Sequence, residues 1–472
     1  MNLRCGLLAL VLAGCAAAPR VSPPDLEVPS AWTLTAAVGA VDSLWWSGLG
    51  DSLATGLVLQ ALGHNYNLQA AAARLDAALA QARIAGAPLW PQAGVDLSGA
   101  RARRNFIGLP IPGAGDRVLT STSTTYGASL NLGWEVDLWG RLRAGTAAAR
   151  ADVQVARAEL RGAHLSLAAQ TLRAFFAAVE GRRQIELAQA TVDNFSLSSR
   201  QVRDQYERGL RPSLDLRLAL SSLAGAEASL AQRQRLQRAA LRQVEVLAGR
   251  YPGALLQTSA ELPPLPPPVP AGLPAELVGR RPDLVAAERR LAAADARLAA
   301  ARAALYPRLS LTASGGRSSG ELGDLLDGDF AVWNLVGNLS QPLFQGGRLR
   351  AGVDLARAGR EGAVAAYAQV LLQAFAEVES ALDAETFLQT QEQALRTAAD
   401  EALAARRLAE ERYQRGLSDM ITLLTAQNSA FESESRWLAT RRQQLEARVD
   451  LHLALGGGFA PEPDTDDSPR PE

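Results

Sequence analysis

Few residues of this chain have the types and the spacing that chemistry at a site requires. The three histidines, His64, His164 and His452, are far apart in the sequence, and none has a second ligand-type residue at a metal-site spacing. No segment has the pattern of a nucleophile elbow or of another paired catalytic motif. The sequence contains no lysine, which a Gly-rich nucleotide-binding loop requires. We therefore predict that the protein is not an enzyme and has no metal or cofactor.

Modification is predicted at one residue, Cys15. Residues 1–14 have a positive start, an apolar core and small residues at the end, which is typical of a secretion signal and too short to span a bilayer as a helix. Leu12-Ala13-Gly14-Cys15 resembles the bacterial lipobox, which implies cleavage before Cys15 and attachment of acyl chains that anchor the protein stably. By the same resemblance, Ala16, which is not Asp, is the residue type expected for sorting to the outer membrane. The alternative is an incidental cysteine after a simple signal peptide.

The composition favours a folded protein that does not bind nucleic acid. The chain has 472 residues, of which 48% are hydrophobic, so it can bury a substantial core. Its 48 basic and 49 acidic residues are balanced and scattered, whereas a nucleic-acid-binding protein has a basic face. Residues 15–50 are proline-rich and predict an extended tether, which Trp45-Trp46 can pack onto the folded body.

The sequence repeats itself at one fixed offset. Gly140-Arg141-Leu142-Arg143-Ala144-Gly145 recurs 207 residues later as Gly347-Arg348-Leu349-Arg350-Ala351-Gly352. Tyr206-Glu207-Arg208-Gly209-Leu210 recurs with one change, again 207 residues later, as Tyr413-Gln414-Arg415-Gly416-Leu417. Two matches at one offset predict two structural repeats, residues 51–250 and 275–456. A proline-rich linker, residues 251–274, is predicted between them, and a disordered acidic tail at residues 457–472.

Each repeat is predicted to contain a helix, a β-hairpin, a long helix and a return helix. Ala-rich helical patterns over residues 51–87 and 283–305 are stopped by Pro91 and Pro307. Apolar residues recur at every second position from Tyr126 to Val136, which indicates a strand, and shorter alternating runs indicate three more. Gly- and Pro-rich loops at residues 101–120 and 315–329 are predicted to join the paired strands.

A very long helix is predicted after each hairpin. Residues 141–209 would extend for roughly 100 Å at about 1.5 Å per residue. Gly209 and Gly416 are expected to end the long helices, and return helices to cover residues 213–249 and 420–455. A three-four stagger of apolar and small residues predicts a seam with neighbouring helices: Val153, Ala156, Leu160, Ala163, Leu167 and Ala174 in the first repeat and Val364, Tyr367, Leu371, Ala374, Val378, Ala381 and Leu388 in the second.

The strand count bears on how the chain could cross a membrane. No run of eighteen apolar residues follows the signal, so the sequence offers no transmembrane helix. A closed barrel is the remaining way to span a bilayer, because lipid cannot satisfy the polar groups of an open sheet edge. Four strands cannot close by themselves, so copies must share a sheet. Two copies would supply eight strands and three would supply twelve, and both numbers satisfy this requirement.

Several short motifs follow one another in a specific order along nearly the whole mature chain. They are the lipobox, Trp45-Trp46 with Asp51, Leu53, Ala61-Leu62 and Asn65, the two Gly-Arg-Leu-Arg junctions, Ala374-Phe375-Ala376-Glu377-Val378-Glu379 and the two Arg-Gly-Leu turns. In this order they resemble the TolC-like outer-membrane efflux factor family, of the NodT lipoprotein (OprM-like) type. The resemblance implies a mainly α fold with a membrane β-barrel: a homotrimer with a 12-stranded barrel and a long coiled-coil-like helical tunnel in the periplasm.

The same resemblance implies a function as the outer-membrane channel subunit of a tripartite efflux system. Such a channel is a passive exit duct for small molecules, including drugs and toxic compounds, which an inner-membrane efflux transporter and a periplasmic adaptor protein deliver. The alternative is a periplasmic coiled-coil structural or adaptor protein that Cys15 anchors to the outer membrane. That alternative does not need two hairpins at matching places in the repeats.

The resemblance also implies where the site residues lie. The helix-turn-helix tips, which meet the adaptor in the family, correspond to Arg208-Gly209-Leu210 and Arg415-Gly416-Leu417. Family members often place acidic residues beyond the second tip, where a ring of carboxylates narrows the entrance and favours cations. The matching positions here are Thr422 and Thr425, so only Asp419 or Asp215 could supply such a ring. The alternative role of each Asp is that of a solvated or capping residue.

Overall fold

Four segments of the chain are described by the computed structural model: residues 29–33, 44–106, 118–272 and 274–457. The predicted signal peptide, the predicted lipidation site Cys15 and the predicted acidic tail beyond residue 457 lie outside the described residues. The chain divides into two compact units. One contains residues 76–154 and 289–365, and the other contains residues 25–75, 155–288 and 366–472. All of the described strands belong to the first unit.

Two helices, not one, occupy the first Ala-rich stretch. Helix α1 covers Ser52–His64 and helix α2 covers Tyr66–Gly86, so the single helix predicted over residues 51–87 is wrong. Asn65 causes the break, because its backbone is extended (φ −71°, ψ 125°). Its Oδ1 accepts hydrogen bonds from the backbone N–H groups of Asn67 and Leu68, at 2.9 and 3.1 Å. These bonds satisfy the first donors of the new helix.

The described strands form one antiparallel sheet in the order β1-β2-β3-β4. Their bounds are Gln92–Phe106, Leu119–Val136, Arg308–Ser319 and Ala331–Ser340. The predicted period-two run is confirmed as part of β2. The predicted loops, residues 101–120 and 315–329, are too wide, since residues 101–105 pair in register with residues 120–124. Ladder hydrogen bonds use only backbone groups, so charged and hydroxyl side chains can continue a strand whose faces are exposed.

The remaining helices match the predicted repeat closely. The first repeat continues with α3 (Arg141–Glu207) and α4 (Ser213–Leu247). The second contains α5 (Pro274–Arg280), α6 (Pro282–Ala303), α7 (Arg348–Gln414) and α8 (Met420–Ala454). The long helices α3 and α7 have 67 residues each, and the return helices α4 and α8 have 35 each. The seven-residue helix α5 was not predicted, because so short a segment shows no helical period.

The return helices end in the same backbone motif. At Gly249, which has φ +71°, the N–H of Arg250 donates to Glu245 O at 2.8 Å and the N–H of Gly249 donates to Val246 O at 3.1 Å. The same two bonds recur around Gly456, 207 residues later, at 2.9 and 3.1 Å. This is the Schellman ending, which needs a residue with positive φ and therefore favours glycine. It adds a third pair of positions to the repeat.

The largest apolar cluster of the second unit lies where the long helix α3 packs against the segment that contains Trp45 and Trp46. Leu172, Phe175 and Phe176 of α3 are completely buried there, and Trp45 and Trp46 are buried in the same cluster. The prediction that Trp45-Trp46 packs onto the folded body is therefore confirmed, and Trp45 stacks on His452 with ring centroids 4.7 Å apart. The predicted seam is confirmed as well, since none of its positions on α3 or α7 is exposed. No described helix is both long and apolar enough to cross a membrane.

Candidate functional site

The two hairpin turns predicted as tips have one backbone geometry. In the first, the N–H of Gly209 donates to Tyr206 O at 2.9 Å and the N–H of Leu210 donates to Gln205 O at 2.8 Å. In the second, Gly416 and Leu417 make the equivalent bonds to Tyr413 O and Arg412 O at 3.0 and 2.8 Å. The glycines have φ +74° and +71°. Both turns are Schellman endings, so the predicted role of each glycine as a helix end is confirmed.

The turns expose a duplicated apolar surface, which we call the tip patch: Leu210 and Leu214 in the first hairpin and Leu417 and Ile421 in the second. Each of these side chains is between 60 and 69% exposed. Leu417 and Ile421 lie 207 residues after Leu210 and Leu214, so both repeats present the same pair. Arg208 and Arg415 are exposed beside them. Apolar side chains next to guanidinium groups are typical of a surface that binds another protein.

Arg211 connects the two hairpins. Its guanidinium carbon lies 4.8 Å from the ring centroid of Tyr413, in the second hairpin. Its Nη1 lies 3.8 Å from Asp215 Oδ2, and its Nε donates to Gln205 Oε1 at 3.2 Å. Since a cation over an aromatic face is attracted by the ring quadrupole, this contact holds the second hairpin against the first.

Tyr413 is buried beneath Arg211, with 6% of its surface exposed. Burial raises the pKa of its phenol; the positive charge of Arg211 opposes that rise and the negative charge of Asp215 adds to it. The phenol oxygen has no hydrogen-bond partner among the described residues. The ring continues into an apolar cluster that joins the hairpins: Phe195, Val202, Ala219, Ala226, Ala409, Met420, Leu423 and Leu424.

Asp419 caps a helix. It is the N-cap of α8, and its Oδ1 accepts the backbone N–H of Thr422 at 2.7 Å. Hydrogen bonds from Thr422 lower the pKa of the Asp419 carboxyl, which stays ionised at neutral pH. Thr422 and Thr425 are exposed on the same helix. The capping role that was the alternative for Asp419 is thus observed, whereas a ring of these residues around an entrance stays a prediction.

The predicted site residues fall into two groups in the structure. Asp419 directly precedes α8 and Thr422 and Thr425 lie in its first two turns, while Asp215 lies on α4 and is half-buried beside Arg211. Sequence reasoning missed Arg211 and the contact role of Tyr413. The signal for them was weak: Arg211 directly follows the first Arg-Gly-Leu and Tyr413 opens the second copy of the motif, but nothing in the sequence places one over the other.

Polar side chains interrupt the apolar packing farther from the tips. Asn194 Nδ2 donates to Glu410 Oε1 at 3.0 Å, and Gln427 Nε2 donates to Asn194 Oδ1 at 3.3 Å. Farther along, Gln184 Nε2 donates to the backbone oxygen of Ser435 at 2.9 Å, and Ser435 Oγ donates to Gln184 Oε1 at 2.8 Å. Buried polar pairs fix the register of packed helices, because a slip would leave them unpaired.

The described residues contain no group of three or more His, Cys, Asp or Glu side chains arranged to hold a metal ion. His164 lies on α3. Partial burial lowers the pKa of its imidazole, which is therefore neutral at pH 7. The chemistry that the described tips offer is non-covalent: apolar contact, guanidinium groups and exposed hydroxyls.

Comparison with known proteins gives a consistent result along the chain. The sequence model of the family described as outer membrane efflux protein matches residues 57–250 and 273–457. Outer membrane protein OprJ of Pseudomonas aeruginosa is 34% identical over 460 residues, which cover 96% of this chain and 95% of OprJ. A crystal structure of a membrane protein from Pseudomonas aeruginosa is similar with a TM-score of 0.85 at 33% identity, covering 94% of this chain and 100% of that one. The outer-membrane channel OprN is similar with a TM-score of 0.83 at 28% identity, covering 92% and 99%.

Proposed function

Because this chain belongs to the outer membrane efflux protein family, we propose that three copies share their strands in one 12-stranded barrel and their helices in one periplasmic tunnel. The predicted family, fold class, function and location are confirmed. The chain is a channel component of an efflux system in the bacterial outer membrane. What the proposal adds is how the described residues form the duct, its entrance and its docking surface.

The observation that carries the proposal is the difference between the two faces of the sheet. A sheet with one apolar and one polar face suits a barrel that has lipid outside and water inside. The register places these apolar side chains on one face: Val95, Leu97, Tyr126, Leu130, Leu132, Trp134, Val136, Leu309, Leu311, Ala313, Trp333, Leu335 and Leu339. On the other face, where Val332 and Val336 also lie, it places these polar side chains: Asp96, Ser98, Ser129, Asn131, Glu135, Ser310, Thr312, Ser314, Asn334 and Asn338.

The sheet edges favour closure between copies. Strands β1 and β4 are the edges, and no described strand pairs with their outer sides. An open edge is unstable in lipid, so β1 of one copy pairs with β4 of the next. Three copies with four strands each supply twelve, enough for a barrel with a wet lumen.

The tip patch supports docking of a periplasmic adaptor. Its four apolar side chains and the neighbouring Arg208 and Arg415 are exposed at the ends of the hairpins. Because each repeat contributes one half of the tip patch, a trimer would present six similar surfaces, to which an adaptor with repeated subunits can bind. The adaptor in turn connects the duct to the inner-membrane transporter that supplies energy.

The Arg211 contact supports a restrained entrance. As long as Arg211 lies over Tyr413, the two hairpins of one copy stay together. Adaptor docking opens the entrance only if it binds the separated arrangement more tightly than the joined one. Substrates then pass along the lumen passively, and the chain itself catalyses no reaction. Asp419, Thr422 and Thr425 would line the narrow part of the entrance, and Asp215 would stay with Arg211.

Cys15 anchors the start of the mature chain in this proposal. It lies outside the described residues, and the support for acylation is the lipobox sequence before it. The acyl chains add a second attachment to the outer membrane, besides the barrel that spans it.

The proposal is tested by the oligomeric state and the conductance of the purified protein. In mild detergent we expect native mass spectrometry to give three copies per particle, and in planar bilayers we expect single-channel currents. A stable monomer without conductance would contradict the proposal.

Replacing Cys15 with Ser separates the channel from its rival, a lipid-anchored periplasmic coiled-coil protein. If the sheet spans the membrane, the C15S protein stays in the outer-membrane fraction. If the acyl chains are the only attachment, C15S is released completely into the periplasm.

A further inference from the structure

Two arginines extend the apolar face of the sheet beyond its apolar side chains. In the register of β1 with β2, Arg101 pairs with Thr124 and Arg103 pairs with Thr122. Both lie an even number of positions from Val95 and Leu97, so their side chains are on the same face. Arg104 lies on the opposite face, across from Ser121.

The length of the apolar band places these arginines at its outer border. On β2 the band runs from Tyr126 to Val136, roughly 33 Å along the strand at about 3.3 Å per residue. With a strand tilt of about 40°, this corresponds to a height of about 25 Å, which is that of the lipid-facing band of outer-membrane barrels. Thr124 and Thr122 are the next two positions on this face, away from the helices.

The arginines are available for binding. Both are exposed, and none of the ion pairs between described residues involves them. Arg103 Nη2 lies 3.4 Å from Thr120 Oγ1, a long hydrogen bond that leaves most of its donors unused. Arg317 adds a third guanidinium to this face on β3, opposite Ala128, where its Nη1 donates to Leu325 O at 2.9 Å.

We propose that Arg101 and Arg103, with the hydroxyls of Thr122 and Thr124, bind the phosphate groups of phosphorylated glycolipids in the outer leaflet of the outer membrane. The inference rests on the proposed function, in which the strands span the membrane and the hairpin ends point away from the periplasm. Guanidinium groups bind phosphate bidentately, and threonine hydroxyls add donors. The ligand is a membrane lipid because these four residues directly continue the lipid-facing band. They lie at the level where the acyl chains of the lipids end and the phosphate groups begin.

The test compares three purified proteins for binding of lipid A with both phosphates and of chemically dephosphorylated lipid A, by native mass spectrometry in detergent. The wild type is expected to prefer the phosphorylated form at least tenfold. R101Q/R103Q should lose that preference. R104Q, which removes a charge at the same height on the other face, should keep it. Equal preference in the wild type and R101Q/R103Q would overturn the site, as would a wild type that binds both lipids equally.

A second variant separates phosphate recognition from a general effect on the fold. R101K/R103K keeps both charges but loses the bidentate geometry, so we expect a preference between those of the wild type and R101Q/R103Q. Stoichiometry and conductance are measured for every protein. A wild type that is monomeric and non-conducting refutes the proposed function itself. Conducting trimers whose lipid A preference is the same in all four proteins refute only this site.

Discussion

In each half of the chain, a buried side chain donates a hydrogen bond to a carbonyl at the end of the return helix. The two carbonyls are at equivalent positions, but the donors are different residues. In the first half, Asn65 Nδ2 donates to Leu247 O at 2.9 Å. In the second half, Arg281 Nη1 donates to Ala454 O, 207 residues later, at 3.1 Å. Both donors are buried and both stand at the break between two consecutive helices. The shared requirement is the buried carbonyl that needs a donor, and either side chain can satisfy it.

The difference lies in what else each side chain must do. Asn65 is neutral and uses its oxygen to cap α2. Arg281 brings a charge into the second unit, and its Nη2 lies 2.6 Å from Asp283 and 2.7 Å from Glu377. Burial lowers the pKa of Arg281, but the hydrogen bonds and negative charges of Asp283 and Glu377 outweigh it and leave the pKa raised. At this position the first half therefore depends on the hydrogen bonds of a neutral amide, and the second half depends on a charge cluster.

Replacing Arg281 with Ala is expected to have the largest effect. It leaves the buried carbonyl of Ala454 without this donor and removes the charged hydrogen bonds to Asp283 and Glu377, so we expect a loss of about 3 kcal/mol in the free energy of unfolding. Denaturant titration of the detergent-solubilised protein, followed by circular dichroism, measures this loss. The control is R357A, which breaks an exposed ion pair with Asp354 and should cost less than about 1 kcal/mol. If R281A and R357A are equally stable, the charge cluster at Arg281 does not stabilise the second half.

Alanine at Gly249 is expected to cost about 3 kcal/mol, and alanine at Gly209 about 1 kcal/mol. Their φ angles are nearly equal, at +71° and +74°, so the backbone strain is the same. A Cβ at Gly249 would lie 2.6 Å from His64 O, whereas at Gly209 it meets no described atom within 4 Å. Melting temperatures of G249A and G209A measure the difference. Similar values would show that the packing at Gly249 relaxes freely.

Asn65→Ala is expected to lower the free energy of unfolding by about 2 kcal/mol, since it removes the cap of α2 and the donor to Leu247 O. Asn65→Asp separates the two roles. Asp keeps the acceptor for the N–H groups of Asn67 and Leu68 but cannot donate when ionised, so N65D should lie between the wild type and N65A. If N65D is as stable as the wild type, the bond to Leu247 O contributes nothing.

Removing Arg211 is expected to loosen the entrance more than it lowers stability. Loss of the contact with Tyr413 should cost about 1 kcal/mol. R211A should also raise single-channel conductance, because the hairpins separate more easily. R208A is the matched control on the exposed side of the same turn and should leave conductance unchanged while weakening adaptor binding. An R211A channel with wild-type currents would show that the Arg211 contact does not restrain the entrance.

The smallest expected effect concerns acid sensitivity, which should differ between the tips. Asp419 has a lowered pKa in the folded protein, so its capping is complete above the unfolded pKa of about 3.9 and is lost as the pH falls below that value. Pro212 occupies the equivalent position in the first hairpin and cannot titrate. The protection of backbone amides against hydrogen exchange, relative to their intrinsic exchange rate at each pH, should therefore be constant in both tips from about pH 8 to 5 and decrease only in the second tip below about pH 4. An equal decrease in both tips would contradict the capping role.

The sequence predicted what depends on local patterns. The two matches at one offset predicted both long helices, and the glycines that end them belong to a local motif. The period-two run predicted β2. Asn65 was different, because an asparagine in an Ala-rich run ends a helix only if its side chain finds partners, and one of them, Leu247, is 182 residues away. The contact of Arg211 with Tyr413 also depends on how the hairpins pack, which no local pattern specifies.

The helical hairpins of the two halves, α3 with α4 and α7 with α8, have the same length. The 67-residue and 35-residue helices recur without a single insertion or deletion between the repeats. Adding seven residues to each of α3 and α4 alone would lengthen the helical hairpin of the first half by about 10 Å at about 1.5 Å per residue. The helical hairpin of the second half would then be shorter than that of the first. If both tips bind one partner, as proposed, a change in helix length has to be made in each half by the same number of residues.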